Sequence, residues 1–161
     1  MTYKTTSELS LFNQRKMNKQ LKSEKKLLIN ITPENLWPIL TESKYSKEYM
    51  FNCAVDSDWK IGSPIIWQGN YQGYNAYQKG EILDIKPFEL IKYSTFDPNF
   101  GLDDIPDNYI HVTYLIKAID DKTELTIVNE TFDGNDERMG HINQGWEMVI
   151  AKIKEVAEQV N

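Results

Sequence analysis

The chain is poor in the residues that carry most recognisable chemistry. Its 161 residues include one cysteine, Cys53, and two histidines, His111 and His141. A lone cysteine excludes an intrachain disulfide and any Cys–His spacing for zinc. It reads as a small buried apolar residue rather than a reactive thiol. No Gly-x-Ser-x-Gly elbow surrounds a serine, and neither histidine lies in a local catalytic signature. Gly-x-Gly-x-x-Gly and Gly-x-x-x-x-Gly-Lys are both absent, so no nucleotide loop is expected. Long apolar runs are missing too. The N-terminus lacks the apolar core of a signal peptide, and "MVIA" (148–151) is typical of the longest runs. No membrane span is expected, and the chain reads as cytoplasmic.

Charge narrows the partners. The net charge is −6, unevenly spread. Residues 1–26 carry seven basic side chains against Glu8 and Glu24, giving +5 and leaving −11 for the remainder. An acidic body repels phosphate, which argues against nucleic acid. The basic head reads as a solvated tail.

Acidic clusters invite a metal reading, and "DGNDE" (133–137) is the best of them. A calcium loop needs glycine at its sixth position, where Arg138 stands. A helix cap by Asp133 or Asn135 explains the stretch better. Neither a metal nor a cofactor is expected.

What the chain does have is ordered periodicity. Residues 1–22 read as an extension, with Leu9, Phe12, Lys16 and Met17 on a thin helical stripe. Residues 23–161 read as one domain. "KKLLINI" (25–31) alternates as a first strand. Thr32 then caps a short helix that starts at Pro33 and contains Pro38. "SKYSKEYM" (43–50) reads as a second short helix. From about residue 54 the period becomes two, through "SPIIWQG", "YNAYQKGEILDI" (74–85), "LIKYSTF" (90–96), "YIHVTYLIKA" (109–118) and "ELTIVNETF" (124–132). An acid-rich loop at 97–108 interrupts the meander. Finally Ile142, Trp146, Val149, Ile150, Ile153, Val156, Ala157 and Val160 follow helical spacing. The expected class is α+β. A strand, two short helices and a curved antiparallel sheet of about six further strands precede a long C-terminal helix packed across the sheet.

Five stretches in this order, "INITPENLWPILTE", "WKIGSPIIWQG", "KGEILDIKPFELIKYS", "KTELTIVNETF" and "QGWEMVIAKIKE", resemble the START-like or SRPBCC helix-grip superfamily. Within it they are most similar to the family named for the C-terminal domain of the Aha-type activator of the heat-shock-protein-90 ATPase. The resemblance spans about residues 24–160. It implies a cavity between sheet and helix rather than a reaction. Such families include co-chaperone domains, carriers of hydrophobic ligands, stress-related proteins and some enzymes. Two features depart from the pattern: the long acidic loop, and Asn129, where many relatives carry histidine.

The leading functional expectation is binding of a small hydrophobic or aromatic molecule, in a stress-related role. A chaperone-associated protein–protein adaptor is the alternative, and an enzyme using the same cavity ranks third. An aromatic surplus on the strands and the closing helix supplies the candidate lining: Trp67, Tyr77, Tyr93, Phe96, Tyr114, Phe132 and Trp146. His111, Met139 and Asn143 complete the candidate ligand-binding set. Core packing alone also accounts for most of these aromatics. Trp67 is expected to face the long helix near Trp146, and Trp59 to pack over a sheet corner.

Overall fold

A computed structural model describes residues 19–160. Residues 1–18, with most of the expected extension and all of its helical stripe, lie outside the described residues. Seven antiparallel strands form one sheet in the order β1-β7-β6-β5-β4-β3-β2. They are β1 (Leu21–Ile29), β2 (Ala54–Ser57), β3 (Pro64–Tyr71), β4 (Tyr74–Lys86), β5 (Leu90–Thr95), β6 (Ile110–Ile119) and β7 (Lys122–Thr131). Two short helices, α1 (Pro33–Thr41) and α2 (Ser43–Tyr49), follow β1, and α3 (Asp136–Val160) closes the chain.

The α1 start follows the reading of its residues. Thr32 accepts the Asn35 amide at 3.3 Å, and Pro33 begins the helix. Pro38 lies inside, and α1 ends three residues later. In α2 the buried Ser46 hydroxyl donates to the Cys53 carbonyl and accepts the Val55 amide, tying the helix to β2.

Two boundaries differ from expectation, each for a physical reason. Strand β1 starts at Leu21 rather than residue 25 and ends at Ile29. Its inward positions Ser23 and Lys25 are polar, so apolar alternation does not reveal them. They turn inward because α3 supplies partners. Ser23 donates to Asn143 Oδ1 at 2.6 Å, and Lys25 meets Glu147 at 2.6 Å. Helix α3 starts at Asp136, six residues before the first apolar position of its stripe. Asn135 Oδ1 accepts the Arg138 amide at 3.0 Å and Asp133 Oδ1 accepts the Asn135 amide at 3.1 Å, so the expected cap is present but sits farther upstream of the apolar stripe.

The sheet bends in β4. Between Lys79 and Ile82 the β4–β5 ladder is interrupted, and Glu81 donates its amide to Ser94 Oγ. The Ser94 backbone comes so close to Gly80 that a Cβ there would lie 1.7 Å from the Ser94 carbonyl oxygen. Only glycine fits. The register shifts again between Ile82 and Asp84. Such irregularities bend a strand and strengthen its twist.

The core lies between sheet and helices, and α3 uses its stripe in two ways. Val149, Ile150, Ile153, Val156 and Ala157 are buried against Ile29, Ile31, Leu125, Ile127 and their neighbours. Ile142 and Trp146, one to two turns earlier, are only half-buried. Here the helix spans a cavity instead of a packed core.

Candidate functional site

The cavity lies beneath the N-terminal half of α3, on the inner face of β3–β6. Its volume is about 920 Å³, within the size range of small-molecule sites. Strand parity selects its floor. Trp67 pairs with Gln78 across β3–β4, and Tyr93 pairs with Val112 across β5–β6. All four line the cavity. Trp67 and Tyr93 meet with ring centroids 5.9 Å apart. From the helix come Ile142, Gly145, Trp146 and Val149. The loop after β5 adds Phe100 and Leu102, both exposed.

Gly145 is informative. It lies mid-helix, where glycine costs stability. No atom lies within 4 Å of where its Cβ would be. Packing therefore does not demand glycine at this position. The position lines the cavity and stands open to a side chain.

The structure divides the candidate residues. Trp67, Tyr93, Phe96 and Trp146 line the cavity together, which gives Trp67 the expected placement opposite the long helix. Tyr114 stands behind them. Its ring contacts Tyr93 at 5.6 Å and Trp146 at 6.0 Å edge-on, and its hydroxyl lies 2.8 Å from that of Tyr93. Burial pushes both phenols well above the ordinary tyrosine range. Asn143 is turned to Ser23, and Met139 is buried in the same helix; neither is in the wall. Tyr77 and His111 open on the other side of the sheet, because Tyr77 pairs with Gln68 and His111 with Ser94, the opposite parity. Phe132 packs edge-on against His111 at 4.7 Å. Trp59 packs half-buried against the core before β3, with a left-handed backbone (φ 57°).

That outer side carries a second depression of about 570 Å³. There the acidic loop is latched to β4. Asp104 accepts from Lys79 and, at 2.7 Å, from the Tyr109 hydroxyl. Hydrogen bonds from the Lys79 ammonium and the Tyr109 hydroxyl hold the Asp104 carboxyl below its ordinary range. It is the smaller and shallower of the two, and its charged pair Lys79–Asp104 is already joined, so the inner cavity is the candidate site.

Some wall residues escape the sequence reading. Cys53, Gln78 and Thr95 line the inside, and Asp97, Glu137, Arg138 and His141 the rim. Parity could have found Gln78 and Thr95, because they alternate with outward residues. Cys53 and the rim lie outside regular strands, and no pattern marks them. Burial, then the Asp97 charge, raises the Cys53 thiol above its usual value, which disfavours the nucleophilic thiolate. Arg138 is satisfied locally. It donates to Asp133 Oδ2 at 2.8 Å and to the Asn108 carbonyl at 3.1 Å, strapping the loop to α3. Among the described residues no three His, Cys, Asp or Glu side chains gather as a metal site. No described helix is long and apolar enough to cross a membrane.

A curved antiparallel sheet gripping a long C-terminal helix around a cavity defines the helix-grip class. The family model described as "Activator of Hsp90 ATPase homolog 1-like protein" matches residues 30–158. The chain belongs to that family. It is similar to a Cytophaga hutchinsonii protein solved in solution, with 32% identity over 86% of this chain and 94% of that one, at a TM-score of 0.72. A Mesorhizobium loti protein shares the fold at 18% identity and a TM-score of 0.71, covering 88% of this chain and 99% of its own. So does the Aha1 dimer from Colwellia psychrerythraea, at 14% identity and 0.67, covering 86% and 96%. No curated protein matches the chain.

Proposed function

We propose that the chain binds a small apolar or aromatic molecule in the inner cavity. The observation that carries this reading is the mid-helix Gly145 beside about 920 Å³ of space walled by Trp67, Tyr93, Phe96 and Trp146. Open apolar volume forgoes dispersion contacts that a packed core would gain. A ligand restores them. Polar handles inside the wall are few, Gln78 and Thr95 being joined to each other at 2.9 Å, so shape and apolar contact would dominate recognition. The test is titration with the neutral fluorophore N-phenyl-1-naphthylamine. Saturable, blue-shifted fluorescence is expected from the native chain, and Gly145→Leu should abolish it by filling the cavity. An absent signal, or one equal in both proteins, would overturn the reading.

The family membership and the likeness to an Aha1 dimer favour a second reading, a chaperone-associated adaptor. It predicts a salt-sensitive complex with a cytosolic chaperone that Gly145→Leu leaves intact. Retention no greater than that of a charge-matched control would remove it.

A further inference from the structure

We infer that the ligand is an organic cation, an apolar or aromatic body bearing an amine or quaternary ammonium head. This rests on the ligand-binding reading above and deepens it.

Among the described residues, the rim of the cavity has an excess of negative charge that no ion pair offsets. Arg138 is the one permanent cation in the lining, and Asp133 already neutralises it at 2.8 Å. Two carboxylates remain. Asp97 spends one oxygen on the Asn99 amide at 2.8 Å, and Glu137 has no cationic partner among the described residues. The Asp97 charge reaches inward, since it contributes to raising the Cys53 thiol on the cavity wall.

The nearby N-terminus of α3 could in principle attract an anion. Its first turn already holds Asp136 and Glu137, and the Asn135 side chain occupies the Arg138 amide. An entering anion would therefore meet carboxylates before free amides.

Aromatic faces extend the same preference inward. Trp146 and Phe51, half-buried, and Tyr71, Tyr74 and Phe100, exposed, line the same cavity, and aromatic rings attract cations, most strongly where water is excluded. The geometry accommodates an ammonium at the Asp97–Glu137 rim with its apolar body among the rings. A carboxylate ligand would be repelled at the rim and find no cation within.

The experiment uses three probes sharing one naphthalene body: 2-(2-naphthyl)ethylamine, 2-(2-naphthyl)ethanol and 2-naphthylacetate. Each is titrated by calorimetry against the native chain and against Asp97→Asn/Glu137→Gln. Asparagine keeps an acceptor for the Asn99 amide. The amine should bind about tenfold more tightly than the alcohol, with the acid weakest. The double variant should bring the amine to the affinity of the alcohol and leave the alcohol unchanged. Equal affinities, or tightest binding by the acid, would overturn the cation preference while leaving the cavity reading intact. An amine preference that survives the double variant would overturn the assignment to this rim. Binding by none of the three would overturn both readings together.

Discussion

The Tyr93 and Tyr114 hydroxyls lie 2.8 Å apart, buried beneath the cavity on adjacent strands β5 and β6. Each ring also serves the wall, Tyr93 directly and Tyr114 by backing Trp146. Removing one hydroxyl strands the other in a dry site. Tyr93→Phe and Tyr114→Phe are each expected to cost about 1–3 kcal/mol, the penalty for an unpaired buried polar group. The double Phe variant strands nothing and should cost less than the sum of the two. Urea unfolding of all four proteins measures the coupling, and simple additivity would show that the hydroxyls do not depend on each other.

Element order was legible in the sequence because each element follows its own period. The meander alternates from Ile65 to Ile127, and α3 repeats at helical spacing from Ile142 to Val160. What escaped were positions whose partners lie far along the chain. Ser23 and Lys25 face inward only because Asn143 and Glu147 receive them. The site was legible in part for a related reason. Parity tells which side of a strand a residue occupies, but not which side holds the cavity. Trp67 and Tyr93 share the inner face, whereas Tyr77 and His111 take the outer one. One apolar stripe on α3 likewise covers solid core at Ile153 and open space at Trp146. Periodicity cannot separate the two, since both favour apolar side chains.

Two threonines on β7 make a paired prediction. Thr123 and Thr131 are both fully buried. Thr123 donates to the Ile31 carbonyl at 2.7 Å, holding the chain after β1. The Thr131 hydroxyl has no partner among the described residues. Valine matches threonine in shape and suits a strand. Thr131→Val should therefore stabilise the fold by about 1 kcal/mol, and Thr123→Val should destabilise it by about 1–2 kcal/mol. Chemical denaturation reads both, and shifts of the same sign would contradict the assignment.

His111 links stability to pH. Burial, then the Lys92 charge, lowers its pKa from the ordinary 6.5, with Glu130 opposing. The folded chain thus takes up the proton less readily than the unfolded chain. Above pH 6.5 the imidazole is neutral in both states and its contribution is fully present. As pH falls below that value the unfolded chain gains protons first, and stability declines until the folded state also protonates. His111→Gln should flatten this part of the profile. Denaturation midpoints between about pH 7.5 and pH 5 test it, and identical slopes for both proteins would assign the effect elsewhere.

Gly145 joins stability to the proposed binding in one position. An interior helix glycine is less favourable than alanine by about 1 kcal/mol, from backbone entropy. Nothing within 4 Å would meet a Cβ there, so alanine introduces no clash to offset that gain. Gly145→Ala should raise the melting temperature by about 2–4 °C in a domain of this size. The added methyl stands at a position that lines the cavity. The same variant should therefore bind N-phenyl-1-naphthylamine more weakly than the native chain, while Gly140→Ala should leave probe binding unchanged. Gly140 also has nothing within 4 Å of its Cβ position, but it lies off the cavity wall. A thermal melt and a fluorescence titration on the two variants separate helix propensity, which both share, from cavity volume, which only Gly145 controls. Equal probe affinity in both would mean that the Gly145 space is not where the probe sits.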